Sequence, residues 1–201
     1  MEHSWLESFL LTFVPLFIVI DALGNLPIII SMSEGMSVGE RRRMINIAIM
    51  TAAIVGLIFL FFGRFILDLL DISFGSFAIA GGIVLLVLSI KLIMTGHMVE
   101  VIKEEMVAVV PIGTPLLVGP ATITTLLLLV PQFGWYWVLL SFALNILLAW
   151  IMSHFSNWIA GFMGQGGLKA VSKVFSLLLA AIAVSMIIRG LGLLDIINVV
   201  T

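Results

Sequence analysis

Asp21 is the one acidic residue clearly inside a long apolar run. The segment it opens, Asp21-Ala22-Leu23-Gly24-Asn25-Leu26-Pro27, sets a carboxylate, an amide, a glycine and a proline among almost wholly aliphatic neighbours. A second interruption has the same character: Pro111-Ile112-Gly113-Thr114-Pro115, then Gly119-Pro120 with Thr122 close behind. Proline removes a backbone donor and glycine loosens the chain, so each segment reads as a break dividing one span into two half-helices. A helical hairpin is the other reading of the first. Backbone groups freed at mid-membrane are costly unless protein or a polar cavity surrounds them, and a ligand site is a natural use for them. Half-helices beginning near Asn25, with Pro27 in the first turn, and near Gly119, with Pro120 at the first helical position, would present N–H groups to a carboxylate. The carbonyls ending the preceding half-helices, near 18–20 and 114–117, would suit an ammonium or a cation. The substrate-binding candidates are therefore Asp21, Gly24, Asn25, Thr114, Gly119 and Thr122. Pro27, Pro115 and Pro120 make the breaks, and the expected ligand is a small zwitterion.

A carboxylate at the middle of a membrane helix costs about 2.5–3.5 kcal/mol to insert, so Asp21 is expected to face the bundle interior and have partners. Three roles compete for it: carrying a coupling proton, ligating Na⁺ or the substrate ammonium, and capping the backbone of the break. The coupling ion is accordingly H⁺ or Na⁺. The plain alternative for the prolines and glycines is that they only kink helices for close packing. Thr124 and Thr125 can be satisfied by their own helix, while Asn46 and Asn145 read as bridges between helices. The histidines, His3, His97 and His154, have no metal-ligand spacing, no H-E-x-x-H or G-x-S-x-G motif occurs, and no carboxylate pair lies within the spans. No catalytic group, metal or cofactor is expected, and the chain reads as a non-enzyme.

The elements that must hold these residues follow from composition. Of 201 residues, 62% are hydrophobic and 10% charged, and the mean hydropathy is +1.31. That composition excludes a water-soluble globule and points to a membrane domain. The net charge of −2 carries no basic surface for nucleic acid. With no cysteine there are no disulfides and no thiol chemistry. The first seven residues lack Lys and Arg, so no cleavable signal is expected. Apolar runs at 8–32, 44–63, 74–95, 107–130, 135–159 and 171–194 are each long enough for one crossing. Trp135 and Trp137 at one end and Trp158 at the other frame the fifth, about 32 Å apart along a helix. Ser37 and Glu40 form a capping-box pattern ahead of the second. Connections after the first, third and fifth spans hold Arg41, Arg42, Arg43, Lys91, Lys103, Lys169 and Lys173, against Arg64 and Arg189 on the other side. The positive-inside rule therefore places both termini outside a multi-pass prokaryotic-type plasma (inner) membrane.

Sliding the chain against itself by 96 positions aligns Pro15 with Pro111, Ala53 with Ala149, Ser89 with Ser185 and Gly96 with Gly192. More telling, the broken span comes first in each half. Three spans per unit is odd, so the second copy must enter from the opposite face. The expected fold is an all-α integral membrane protein with six transmembrane helices arranged as two inverted three-helix repeats, the first helix of each repeat broken. Residues 1–201 form a single transmembrane domain, with repeat one at 1–96 and repeat two at 97–201.

Four stretches carry a family resemblance: Ile20-Asp21-Ala22-Leu23-Gly24-Asn25-Leu26-Pro27-Ile28, Ala80-Gly81-Gly82-Ile83, Val110 to Thr125, and Leu178-Leu179-Ala180-Ala181-Ile182-Ala183-Val184. Together they resemble the MarC family of six-span membrane proteins. The resemblance covers nearly the whole chain and is most specific from Pro111 to Thr125. It implies carriage of small neutral amino acids, glycine- or alanine-like, and a distant kinship with LysE-type exporters. It also carries motif positions onto Asp21, Gly24, Asn25, Pro27, Pro115, Gly119, Pro120 and Thr122. The chain departs from the family pattern at Ala22, where Pro is common, at Ala121, where Gly is common, and at Ala78, where Arg is frequent. The expectation is a secondary transporter of small neutral amino acids working by alternating access. A passive channel or membrane scaffold is the alternative, and drug efflux the third reading. The partners expected are a zwitterionic substrate and membrane lipid, and a homo-oligomer is compatible with the sequence.

Overall fold

The computed structural model describes residues 4–33, 35–95 and 117–196. Seven helices make up the described residues: α1 (Trp5–Ile20), α2 (Leu26–Met32), α3 (Val38–Leu69), α4 (Phe74–Thr95), α5 (Pro120–Phe133), α6 (Trp135–His154) and α7 (Ser156–Leu193). Among these residues none is in a strand. Four helices, α3, α4, α6 and the part of α7 from Gly166, are long and apolar enough to cross a membrane, while α1 and α5 are shorter apolar helices. The side-chain distribution inverts that of a water-soluble protein. Ile54, Ile58, Phe61, Phe62 and Phe65 are exposed, whereas Thr12, Asp21, Asn25, Thr122, Thr124, Ser141 and Asn145 are buried. Lipid solvates the aliphatic face, and polar groups find partners inside.

Several sequence expectations correspond to observed elements and others shift. The run at 8–32 forms α1 and α2, separated at 21–25, so Leu26 and Pro27 belong to the second helix. The run at 44–63 is a longer helix, because the Ser37–Glu40 capping box starts it at Val38. Glu40 also accepts from the Ser37 backbone N–H at 2.8 Å. The run at 135–159 stops at His154, so Trp158 does not close the α6 span. It lies instead in the first turns of α7, stacked on Phe162 with centroids 6.0 Å apart. That early part of α7 is divided from the long remainder at Gly164, whose φ of 66° favours glycine. Of the run at 107–130, the part from 117 is described and forms the approach to α5 and its first turns.

Small residues set the helix packing. Between α4 and α7, a Cβ on Gly75 would stand 2.8 Å from the Gly190 carbonyl, and one on Gly82 would stand 2.8 Å from that of Ala183. The two helices thus run antiparallel, with backbones in near contact along a seam. On α3, Gly56 receives the Phe142 ring of α6, and Gly63 receives Leu127 of α5. Polar bridges tie the remaining helices. Thr12 Oγ1 and Ser141 Oγ lie 2.7 Å apart between α1 and α6. Asn145 Nδ2 donates to the Phe13 carbonyl at 3.2 Å, and Trp150 Nε1 donates to Asn46 Oδ1 at 2.9 Å. Both asparagines therefore bridge helices, as their positions inside spans predict. Arg41 also reaches Ser156, joining the start of α3 to the start of α7.

Candidate functional site

The first break is built around Asp21. Its backbone closes α1 by donating to the Phe17 carbonyl at 3.2 Å, and it adopts the left-handed conformation, φ 49° and ψ 49°, which Asp tolerates better than most residues. The chain then turns, with the Asn25 N–H donating to the Asp21 carbonyl at 3.0 Å and that of Leu26 to Leu23 at 3.2 Å. Asp21 Oδ1 accepts from the Gly24 N–H at 3.0 Å. A Cβ on Gly24 would overlap the Asp21 carboxylate as it is placed, so a larger residue there would displace the cap. Of the three roles open to Asp21, capping the break is thus the one with a partner in view. Its second oxygen is left for chemistry beyond the cap.

Asn25 sits at the start of α2, where its carbonyl accepts from the Ile29 N–H at 3.1 Å. Its Nδ2 reaches back to the Ile20 carbonyl at 3.2 Å, binding the last turn of α1 to the first of α2. Both Asp21 and Asn25 are buried, at 5% and 4% exposure, and Ala22 is equally enclosed.

At the second break Gly119 occupies the N-cap of α5 in an extended conformation, with Pro120 in the first turn, and Gly119 supplies no side-chain cap. Thr122 Oγ1 donates to the Leu117 carbonyl at 3.2 Å. This reproduces the first break in form: a buried polar side chain near a helix start donates to the carbonyl five residues earlier. The carbonyls of Ile20 and Leu117, expected to face a cation, each accept one side-chain hydrogen bond from within the site and keep a second lone pair. Ile20 and Ala22 share one apolar cluster with Leu117 and Val118, so the two breaks are parts of a single core. Thr114 and Pro115 lie outside the described residues.

Two features depend on how the helices assemble. Thr125, which the sequence suggested would only satisfy its own helix, lines a cavity of about 270 Å³ with Pro15, Gln132, Ser185 and Arg189. A second cavity of about 640 Å³, with Arg64, Asp68 and Pro131 in its wall, shares Leu128 and Gln132 with the first. Between α2, α3 and α6, beside Leu117, the space lined by Ile29, Ile45 and Ser153 is only about 10 Å³. Among the described residues, cavities therefore lie at the Gln132 end of α5, and the space beside Leu117 and Ser153 is small. The other feature is the Gly81-Gly82 pair, which serves two neighbours at once. A Cβ on Gly81 would meet Thr124 of α5, and one on Gly82 would meet α7.

Comparison with known proteins agrees with the membrane architecture. A sequence model described as "MarC family integral membrane protein" matches residues 6–194. Among curated relatives, a UPF0056 membrane protein of Archaeoglobus fulgidus is 33% identical, the alignment covering 94% of each chain. UPF0056 membrane protein YvbG of Bacillus subtilis is 29% identical over 89% of this chain and 92% of its own. YhcE of Escherichia coli is 28% identical over 89% of each. No solved structure matches.

Proposed function

Because the chain belongs to the MarC family of integral membrane proteins, we propose that it is a secondary transporter of small neutral amino acids, holding its substrate at the paired breaks of α1–α2 and α5. The observation that carries this reading is the matched construction of the breaks, Asn25 onto Ile20 and Thr122 onto Leu117, within one buried core. Each ties a helix start to the carbonyl of the preceding segment, and helix N–H groups beside such carbonyls are the two kinds of partner a zwitterion needs.

Six crossings arranged as two inverted three-helix repeats fit this reading. What supports the arrangement is the recurrence of a Pro/Gly-broken span at the start of each half of the sequence. Rocking of one repeat against the other would alternate access between the two sides. On the basic-residue count, the cavity-bearing end, with Arg189 and Gln132, faces outside together with both termini, in a prokaryotic-type inner membrane. The substrate pocket consists of Asp21, Gly24, Asn25, Gly119 and Thr122, with Thr114 added for its place in the sequence of the second break. Asp21 is the group available to a coupling H⁺ or Na⁺.

Equilibrium binding of labelled glycine to the purified protein in detergent tests the pocket. Saturable binding displaced by unlabelled alanine and spared by phenylalanine is expected. Binding that phenylalanine displaces equally well would contradict a small pocket and favour a broader one.

A further inference from the structure

We propose that the cavity between α1, α5 and α7 is a carboxylate-recognising subsite, with Arg189 as its cationic group and Gln132, Ser185 and Thr125 as its hydrogen-bonding wall. Its volume of about 270 Å³ suits a solute of a few heavy atoms and exceeds what one or two waters require. Its lining combines Arg189, Gln132, Ser185 and the buried Thr125 with leucine, isoleucine and methionine side chains, and because Arg189, Gln132 and Ser185 are exposed the cavity opens at the bundle surface.

The backbone contributes as well. Pro15, in the wall, has no N–H to give to the carbonyl of Leu11, which also lines the cavity, so an acceptor of α1 is left without its helical donor. Gln132 Nε2 donates to the Leu128 carbonyl at 2.7 Å, which holds the amide against α5 with its oxygen still available. A carboxylate of small size would take the bidentate fork of Arg189, and an ammonium on the same molecule would find the Gln132 and Leu11 oxygens.

From Gln132 to Thr125 the cavity follows α5 for about 10 Å, and Thr122 lies one further turn inward, about 5 Å along the axis. The subsite therefore lies on the way from the cavity-bearing end of the bundle to the breaks. Its role as the mouth of a transport path rests on the transport reading, whereas carboxylate binding there does not. The adjoining larger cavity adds Arg64 and Asp68 at the same end. A carboxylate and a phosphate share the chemistry that Arg189 offers, so a lipid headgroup is the competing occupant, and the test separates the two.

The chain has no cysteine, so a Ser185→Cys variant carries a single thiol in the cavity wall, one helical turn from Arg189. In neutral-lipid vesicles, a negatively charged methanethiosulfonate should modify this thiol about threefold or more faster than a positively charged one of similar size. Adding Arg189→Gln should abolish the preference and Arg189→Lys should keep it. Glycine and acetate should slow the reaction, and methylamine should leave it unchanged. Equal rates for the two reagents, or a preference that survives Arg189→Gln, would overturn the subsite. Protection by added anionic lipid without protection by glycine or acetate would also overturn it, in favour of a headgroup anchor. Protection by glycine in a protein that shows no glycine counterflow would sink the transport reading and leave the subsite standing. Counterflow without protection would do the reverse.

Discussion

Asn25 donates through Nδ2 to the carbonyl of Ile20 at 3.2 Å, five residues back and across the turn that separates two helices. Thr122 makes the equivalent bond to Leu117. An amide at one break and a hydroxyl at the other perform one task. The common requirement is a short buried side chain that can satisfy a carbonyl left over where a helix ends.

Removing these side chains should weaken the substrate more than the fold. Asp21→Ala and Asn25→Ala should each lower glycine affinity tenfold or more, about 1.4 kcal/mol, while the purified protein keeps its helical circular dichroism. Equilibrium binding in detergent reads this directly. Unchanged affinity in folded protein would remove both residues from the pocket.

Asp21→Asn separates cap from charge. Asn retains an oxygen that can accept from the Gly24 N–H, so the variant should fold and catalyse exchange. Uptake driven by an imposed H⁺ or Na⁺ gradient should be lost. Gradient-driven uptake equal to the unaltered protein's would show that the carboxylate carries no coupling ion.

The glycine seam gives a stability test. Gly82→Ala would press a methyl to 2.8 Å from the Ala183 carbonyl and should destabilise by about 1–3 kcal/mol, the range for overpacking a close contact. Gly161, with nothing within 4 Å of an added Cβ, is its control. There Ala should be neutral or stabilising by up to about 1 kcal/mol through helix propensity. Thermal unfolding in one detergent compares the two.

Asn145 orders a third pair of variants. Its amide donates to Phe13 on α1 and to Ser141 on its own helix, while its Oδ1 is buried without a hydrogen-bond partner. Asn145→Ala should cost about 1–2 kcal/mol as the bridge is lost. Asn145→Asp should cost more, because it sets an acceptor or a buried charge against two carbonyls. Denaturant or thermal unfolding should rank them in that order.

Much of this architecture is legible in the sequence because the bilayer simplifies the reading. Apolar runs must be helices, and a segment that gathers Asp, Gly, Asn and Pro within seven residues, as 21–27 does, marks a break, whereas single prolines such as Pro15 and Pro131 stay inside helices. Asp21, Asn25, Gly119 and Pro120 were accordingly placed at helix boundaries by residue type alone. Boundaries governed by local hydrogen bonds were harder to see. The end of α6 at His154 moved Trp158 into the next helix, because an apolar stretch does not announce a turn that its own carbonyls can satisfy. The cavity at Thr125 and Arg189 depends on which faces of α1, α5 and α7 meet, information that periodicity along a single helix does not contain. The Gly81-Gly82 pair was visible as a motif, but its two-sided contact became interpretable only once α5 and α7 stood on either side of α4.

The central claim is that the paired breaks form the binding site of a carrier. Its most direct test is counterflow of labelled glycine into liposomes preloaded with unlabelled glycine or alanine, with unaltered protein and the Asn25→Ala variant measured together. Saturable accumulation of label by the unaltered protein and its loss in the variant are expected. The absence of counterflow from well-folded protein across a panel of small amino acids, or equal counterflow by both proteins, would contradict it.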